Sequence, residues 1–463
     1  MGISRRTHYS LPEYGTEEIS LRVPLDRGGV YAKRFRLTDA EKAALPAEIS
    51  VFAREFRAPG GENLPRLVYF QGGPGSAAPR PEILGGWLKP LLRRYRVVML
   101  DERGTGLSSP IDGNVLNGFP SPRVQAAYLA CFRADSITDD AEELRRELQA
   151  DEPWAALGQS FGGFCITAYL SRAPHGLARA FITGGLPSLT DPADEVYIRT
   201  WADCEKRNRE FFARYPKDED TCWDIVSHLA DTPETLPTGE RLSPRRFRMI
   251  GINLGWSYGF EKLHYMLENP FVWINGRKRL SGRFLNSVGN ALSFAGNPLY
   301  WALHESIYAQ DFTGATRWAA HRIRRTLAQF ALPDPAHAGE GEERLRRELR
   351  EKGYGFRFSA EHVFPWQGEE DPALRAMAQA AGILAGFTDF PALYDVDTLG
   401  KNTVPTAAFI YENDLFVPAE LSLRTAGKIS ALKPLYSRSY FHDALRTDSA
   451  AVIGRLLQAA EED

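Results

Sequence analysis

Six residues, Gly158-Gln159-Ser160-Phe161-Gly162-Gly163, restrict the architecture of this chain more than any other stretch. They follow a short apolar run, Trp154 to Leu157, and lead into another, Phe164 to Leu170. A serine with glycine two residues before and two after, between a strand and a helix, predicts a sharp strained turn. The glycines allow close approach of backbone and neighbouring chain, and the hydroxyl stands at the carboxyl edge of a sheet. It also lies at the positive end of the following helix. The pentapeptide alone recurs by chance in a chain with 40 glycines. Its strand-and-helix context makes Ser160 the expected nucleophile.

The surrounding sequence repeats this texture. Ile19 to Val23, Ile49 to Phe56, Leu67 to Gln71, Arg96 to Leu100 and Ala178 to Thr183 read as strands. Ala141 to Ala150 reads as a helix, with Asp139 and Asp140 suited to its start. Short buried strands alternating with helices predict an α/β fold: a mostly parallel sheet with helices on both faces. From 186 to 398 strand-like runs give way to helical periodicity, as in Tyr197 to Tyr215 and Leu299 to Phe312, and seven of the nine Trp residues lie there. Pro333 to Gly341 reads as a flexible loop, and Glu342 to Lys352 as a solvated helix face with i,i+4 ion pairs. The α/β texture returns after Val404, with strands at Thr406 to Tyr411 and Pro434 to Tyr440, and helices at Ala419 to Ser430 and Ala444 to Ala460. The expected organisation is a core in two parts, 1–185 and 399–463, around a mainly helical cap, 186–398.

Composition narrows the function. The 463 residues carry a net charge of −3, which leaves no basic footprint for nucleic acid. No apolar run approaches the roughly 18 residues of a membrane span, and no apolar leader is readable after Met1. Four cysteines, none in a C-x-x-C pair, disfavour zinc and redox chemistry and suggest a reducing compartment. The expectation is a cytoplasmic protein without metal, cofactor, nucleic-acid or membrane partners.

A serine nucleophile needs a base, usually His oriented by a carboxylate. On a nucleophile-elbow fold the chain order is Ser, acid, His. Of nine histidines only His442 follows a late strand. The acid is expected just past the preceding strand, where Asp414 is favoured and Glu412 is the alternative. Two N–H donors must face the developing oxyanion. Phe161 is expected to supply one. The loop Gln71-Gly72-Gly73-Pro74-Gly75 is expected to supply the other, from Gly73 first and Gly72 second.

Taken together, these residues resemble a known family. Gln71 to Gly75 is similar to the His-Gly-Gly-Pro-Gly signature of proline iminopeptidases, within the α/β-hydrolase superfamily. Asp101-Glu102-Arg103-Gly104-Thr105-Gly106-Leu107-Ser108 resembles their D-x-R-G-x-G-x-S element, and Gly158 to Gly163 their G-x-S-x-G-G elbow. Leu254 to Glu268 and Asn297 to Gln310 resemble the longer form with an enlarged cap. Gln71 departs from the usual His, at a position outside the triad. Asp101 and Arg103 read as a buried ion pair supporting the loops rather than as catalytic groups.

The resemblance implies a serine exopeptidase that releases an N-terminal proline, or a similar small residue, from short peptides with a free N-terminus. The alternative is an esterase or amidase of the same fold acting on small acyl substrates. An aminopeptidase must hold an α-ammonium, which needs carboxylate partners once partly desolvated. Resemblance points to Glu305, on a strongly apolar helix, and Glu361 is the second candidate.

Overall fold

A computed structural model describes residues 3–11, 13–82, 85–333 and 341–461. Contacts divide the chain into two units. Met1–Ala193, Asn297–Thr316 and Ala376–Asp463 form the first, and Asp194–Gly296 with Arg317–Arg375 the second. The expected single block 186–398 is therefore split: Asn297–Thr316 and the stretch after Ala376 pack with the sheet unit.

In chain order the strands are β1 (Ile3–Leu11), β2 (Tyr14–Pro24), β3 (Glu48–Arg57), β4 (Arg66–Phe70), β5 (Arg96–Asp101), β6 (Trp154–Gln159), β7 (Leu177–Thr183), β8 (Phe271–Ile274), β9 (Arg277–Leu280), β10 (Thr406–Tyr411) and β11 (Leu432–Ser437). The first unit holds one nine-stranded sheet in the order β1-β2-β3-β5-β4-β6-β7-β10-β11. β1 to β3 form an antiparallel meander that joins β5 antiparallel, and every pairing from β5 to β11 is parallel. The central parallel strands β4, β5, β6 and β10 read as apolar runs because both of their faces are covered, whereas β11, at the sheet edge, is only partly buried. Leu67, Tyr69, Val97, Met99, Leu157 and Phe409 share one buried cluster with Val452, Ile453 and Leu456 of the closing helix Ser449–Glu461. Alternate strand residues point the other way, where Phe70 and Ile182 meet the helix Phe161–Arg172 at Gly162 and Gly163. Each large apolar side chain so buried contributes about 1.5–3 kcal/mol.

Several expectations are corrected. The polar N-terminal stretch forms β1, an edge strand whose partner β2 is buried. The helix expected from Ala141 begins at Ala134, so Asp139 and Asp140 sit within it instead of capping it. They serve as ion-pair partners: Asp139 takes Arg172 at 3.0 Å, and Asp140 takes Arg103 at 2.6 Å and Arg27 at 2.7 Å. Asp101 and Arg103 consequently do not pair with each other. Asp101 instead binds Arg80 and accepts the Ala78 and Leu107 N–H groups.

The second unit is mainly helical, led by Ala193–Arg214 and Pro216–Asp231, but also contains the hairpin β8–β9. Its charged helix Gly341–Glu351 has an i,i+4 pair, Arg344–Glu348, yet Leu345, Leu349 and Glu342 are buried, with Glu342 bound to Arg248. Most of the expected flexible loop, 334–340, lies outside the described residues. No helix among the described residues is long and apolar enough to cross a membrane.

Candidate active site

Ser160 ends β6 and starts the helix Phe161–Arg172 with φ +55° and ψ −123°, a strained conformation for a residue bearing a Cβ. Packing over-determines it. The Ser160 N–H donates to the Thr183 carbonyl at 3.0 Å, and its own carbonyl accepts Gly163 N–H at 2.8 Å. Any side chain on Gly158 would overlap the Gly162 backbone, and one on Gly162 would overlap the Phe70 carbonyl. The motif's glycines are thus required by close approach on both sides of the turn.

His442 lies in the loop between β11 and the short helix Ala444–Thr447. Its Nδ1 stands 2.8 Å from Asp414 Oδ2. Asp414, in the turn after β10, uses its other oxygen to accept Phe416 N–H at 2.9 Å and Val417 N–H at 3.0 Å. Both side chains are buried, and the Phe416 ring sets its edge against the imidazole with centroids 4.9 Å apart. Glu412 points elsewhere: it is exposed and engages Tyr436 at 3.0 Å and Arg438 at 2.9 Å.

Two linked contacts bring this pair to the serine. The Gln159 side-chain amide donates to the His442 carbonyl at 3.5 Å. The Gly184-Gly185 turn after β7 is wedged between them. A Cβ on Gly184 would lie 3.2 Å from Asp414 Oδ2 and 3.3 Å from His442 Nδ1, while one on Gly185 would lie 3.0 Å from Ser160 N. The hydroxyl, the imidazole and the carboxylate therefore all border the carboxyl ends of β6, β7, β10 and β11. The strand read at Ala178 to Thr183 stops just before Gly184-Gly185, and nothing in two adjacent glycines discloses this wedge.

The glycine loop after β4 lies beside Ser160. A Cβ on Gly72 would fall 2.7 Å from Ser160 Cβ, and Gly73 adopts φ +73°. Phe161 N–H belongs to the first turn of its helix, where amides have no partner within the helix. Gln71, in place of the usual His, accepts the Tyr69 hydroxyl at 3.0 Å and donates to the Gly72 carbonyl at 3.1 Å. Tyr300, to which the sequence assigned no role, packs against this loop: its ring lies 3.6 Å from a Cβ position on Gly73, and its N–H 2.7 Å from one on Gly75. Only its place after Pro298, in a segment that returns to the sheet unit, could have indicated this.

Glu305 belongs to the same returning segment and is 5% exposed. Tyr308, three residues on, sets its ring against Phe164 of the nucleophile helix at 5.9 Å, and Arg133 fixes the Ser306 carbonyl at 3.2 Å. Glu361 lies in the second unit, half-buried, beside His362, which stacks on Trp201 at 3.7 Å and bonds Thr200 at 3.2 Å.

Chemically, a hydroxyl on a strained turn, an imidazole held by a buried carboxylate and a row of glycine amides can support acyl transfer. Comparison with known proteins narrows the relationship. Residues 65–221 match the family model of the alpha/beta hydrolase fold. The chain is 38% identical over 397 residues to a proline iminopeptidase of Aeromonas sobria, covering 86% of this chain and 88% of that one. It is 31% identical over 405 residues to a proline iminopeptidase of Aspergillus aculeatus, covering 86% of each. Among solved structures, a hydrolase from Pseudomonas aeruginosa PA01 aligns over 90% of this chain and 97% of its own, with 13% identity and a TM-score of 0.39. With sheet order, elbow and sequence identity over most of both curated relatives in agreement, the chain belongs to the proline iminopeptidase family, on the α/β-hydrolase fold.

Proposed function

We propose that this protein is a serine exopeptidase that releases N-terminal proline, or a similar small residue, from short peptides. The observation that carries the reading is the buried Asp414–His442 hydrogen bond, at 2.8 Å, on the sheet edge that holds Ser160. His442 removes the Ser160 proton as the hydroxyl oxygen attacks the carbonyl carbon of the first residue. Asp414 keeps the imidazole in the tautomer that can accept that proton and stabilises the cation formed. The Phe161 and Gly73 N–H groups receive the oxyanion, each worth about 3 kcal/mol of barrier. His442 then gives its proton to the leaving amine, and water, deprotonated by His442, releases the acyl group. The steps call on no metal or cofactor.

Recognition of a free N-terminus is assigned to Glu305. It is buried on the segment that packs on the glycine loop and the nucleophile helix, where a carboxylate gains most from a cationic partner. Glu361 is the second carboxylate proposed for the amine. The reading includes a cytoplasmic location, supported by four cysteines that all remain free thiols.

Hydrolysis of proline p-nitroanilide, its N-blocked form and p-nitrophenyl acetate tests the proposal. Strong preference for the free amine is expected, and Glu305→Gln should raise KM for proline p-nitroanilide while leaving ester hydrolysis intact. Indifference to blocking, or a preference for the ester, would favour the small-acyl esterase or amidase instead.

A further inference from the structure

The second unit contains an open cavity of about 750 Å³. Its walls include Arg245, His321, Arg324, Arg325, Glu342 and Trp366, with Leu327, Leu332 and Pro333 supplying apolar surface. The charges around it do not balance. Arg245 is paired with Glu370 at 2.6 Å, and Glu342 is occupied by Arg248 at 2.7 and 3.1 Å. Among the described residues Arg324 donates only to the Phe330 carbonyl, at 3.0 Å, and neither Arg324 nor Arg325 has a carboxylate partner.

A second observation concerns hydrogen bonding. Arg324 Nε, Trp366 Nε1 and His321 Nδ1 are all buried without a partner among the described residues, and all three belong to residues lining this one cavity. The first two are obligate donors. A buried donor left unpaired costs about 1–3 kcal/mol, so a cluster of them around a space of this size needs an explanation. The electrostatics agree: burial, then Arg325, Arg248 and Arg245, bring the Arg324 guanidinium down to about 10. Burial, then Arg324, Arg325 and Arg245, bring His321 down to about 4. Among the described residues positive potential is unmet at this place, and an anion would meet it.

We propose that this cavity is a binding site for a small organic carboxylate bearing an apolar group. The carboxylate is held by Arg324 and Arg325, with Trp366 Nε1–H as an additional donor. The apolar group lies against Leu327, Leu332 and Pro333. A bare inorganic anion would satisfy the donors but leave most of the volume and the apolar wall uncovered. The volume falls within the range of sites that enclose small organic ligands, about 300–1,000 Å³.

Isothermal titration of the full chain with 3-phenylpropionate, its neutral amide and inorganic phosphate tests the site by a readout independent of peptidase activity. Saturable binding of the carboxylate is expected, with the amide and phosphate each weaker by about tenfold or more. Arg324→Gln should abolish binding. Arg325→Gln, at an exposed position, should weaken it about tenfold. The inference is overturned if the carboxylate does not saturate, if the amide or phosphate binds equally well, or if Arg325→Gln binds as the wild type does.

Discussion

Replacing Asp414 by Asn tests the triad through a proton count and leaves shape unchanged. The two oxygens of Asp414 have different tasks. Oδ1 accepts two peptide N–H groups, from Phe416 at 2.9 Å and Val417 at 3.0 Å, and Oδ2 faces His442 Nδ1 at 2.8 Å. An amide has one accepting end and one donating end. The two peptide N–H groups require the acceptor, so the amide NH₂ turns toward Nδ1. An imidazole that accepts at Nδ1 carries its proton on Nε2 and cannot take one from Ser160. A wrong tautomer of this kind costs about 10⁴ in kcat, which is about 5.4 kcal/mol of barrier at 1.36 kcal/mol per factor of ten. Both backbone hydrogen bonds survive, so thermal stability should stay close to that of the parent. The assay is kcat and KM on proline p-nitroanilide, with the rate of fluorophosphonate labelling of Ser160 alongside, and the loss should fall on kcat. Glu412→Gln is the control, since that side chain is engaged by Tyr436 and Arg438 at the surface. The reasoning fails if Asp414→Asn keeps kcat within about tenfold of the wild type, or if Glu412→Gln loses as much.

Other perturbations probe the scaffold. Arg103→Met removes a buried guanidinium that binds Asp140 through two 2.6 Å hydrogen bonds and also holds the Leu25 and Cys131 carbonyls at 2.8 Å. A loss of about 3–5 kcal/mol in denaturant unfolding is expected, because Asp140 stays buried with a weaker set of partners. Gly185→Ala drives a methyl into the Ser160 backbone, overlapping its carbonyl oxygen and lying 3.0 Å from its N and C atoms. Activity should fall at least a hundredfold, about 2.7 kcal/mol, while circular dichroism keeps its native form; an active variant would show that the wedge is not needed. Glu102 gives a pH signature. Its carboxyl oxygens are buried without hydrogen-bond partners among the described residues, and burial, with Asp101 adding, pushes its pKa well above the usual carboxylate range despite the nearby Gln71 peptide. The folded state therefore binds a proton that the unfolded state releases above its ordinary pKa, so this group lowers stability as pH rises through that value. Glu102→Gln should accordingly raise the melting temperature at pH 7 and change little below pH 4, about the unfolded pKa of a glutamate; a shift independent of pH would contradict this.

The central parallel strands β4, β5, β6 and β10 were readable because they are compact apolar runs, and the elbow because its glycines are demanded by backbone overlap. Asp414 and His442 stood out by chain order, Ser then acid then His, and they meet in the fold through the parallel register of β10 and β11. What escaped the sequence is what depends on distant partners. β1 carries no apolar signature since it is an edge strand. Asp139 and Asp140 have the chemistry of helix caps, and only the presence of Arg172, Arg103 and Arg27 in space turns them into ion-pair partners. The grouping of Asn297–Thr316 with the sheet unit was hidden because its periodicity matches the helices on either side of it. That grouping also separates the two candidate glutamates: Glu305 falls in the unit that holds Ser160, and Glu361 in the other.

The backbone passes from one unit to the other at residues 193/194, 296/297, 316/317 and 375/376. A trimmed enzyme therefore cannot be made by a single excision. Two separate cuts, each with its own splice, are needed to discard the helical unit while sparing the twenty-residue island that carries Tyr300 and Glu305.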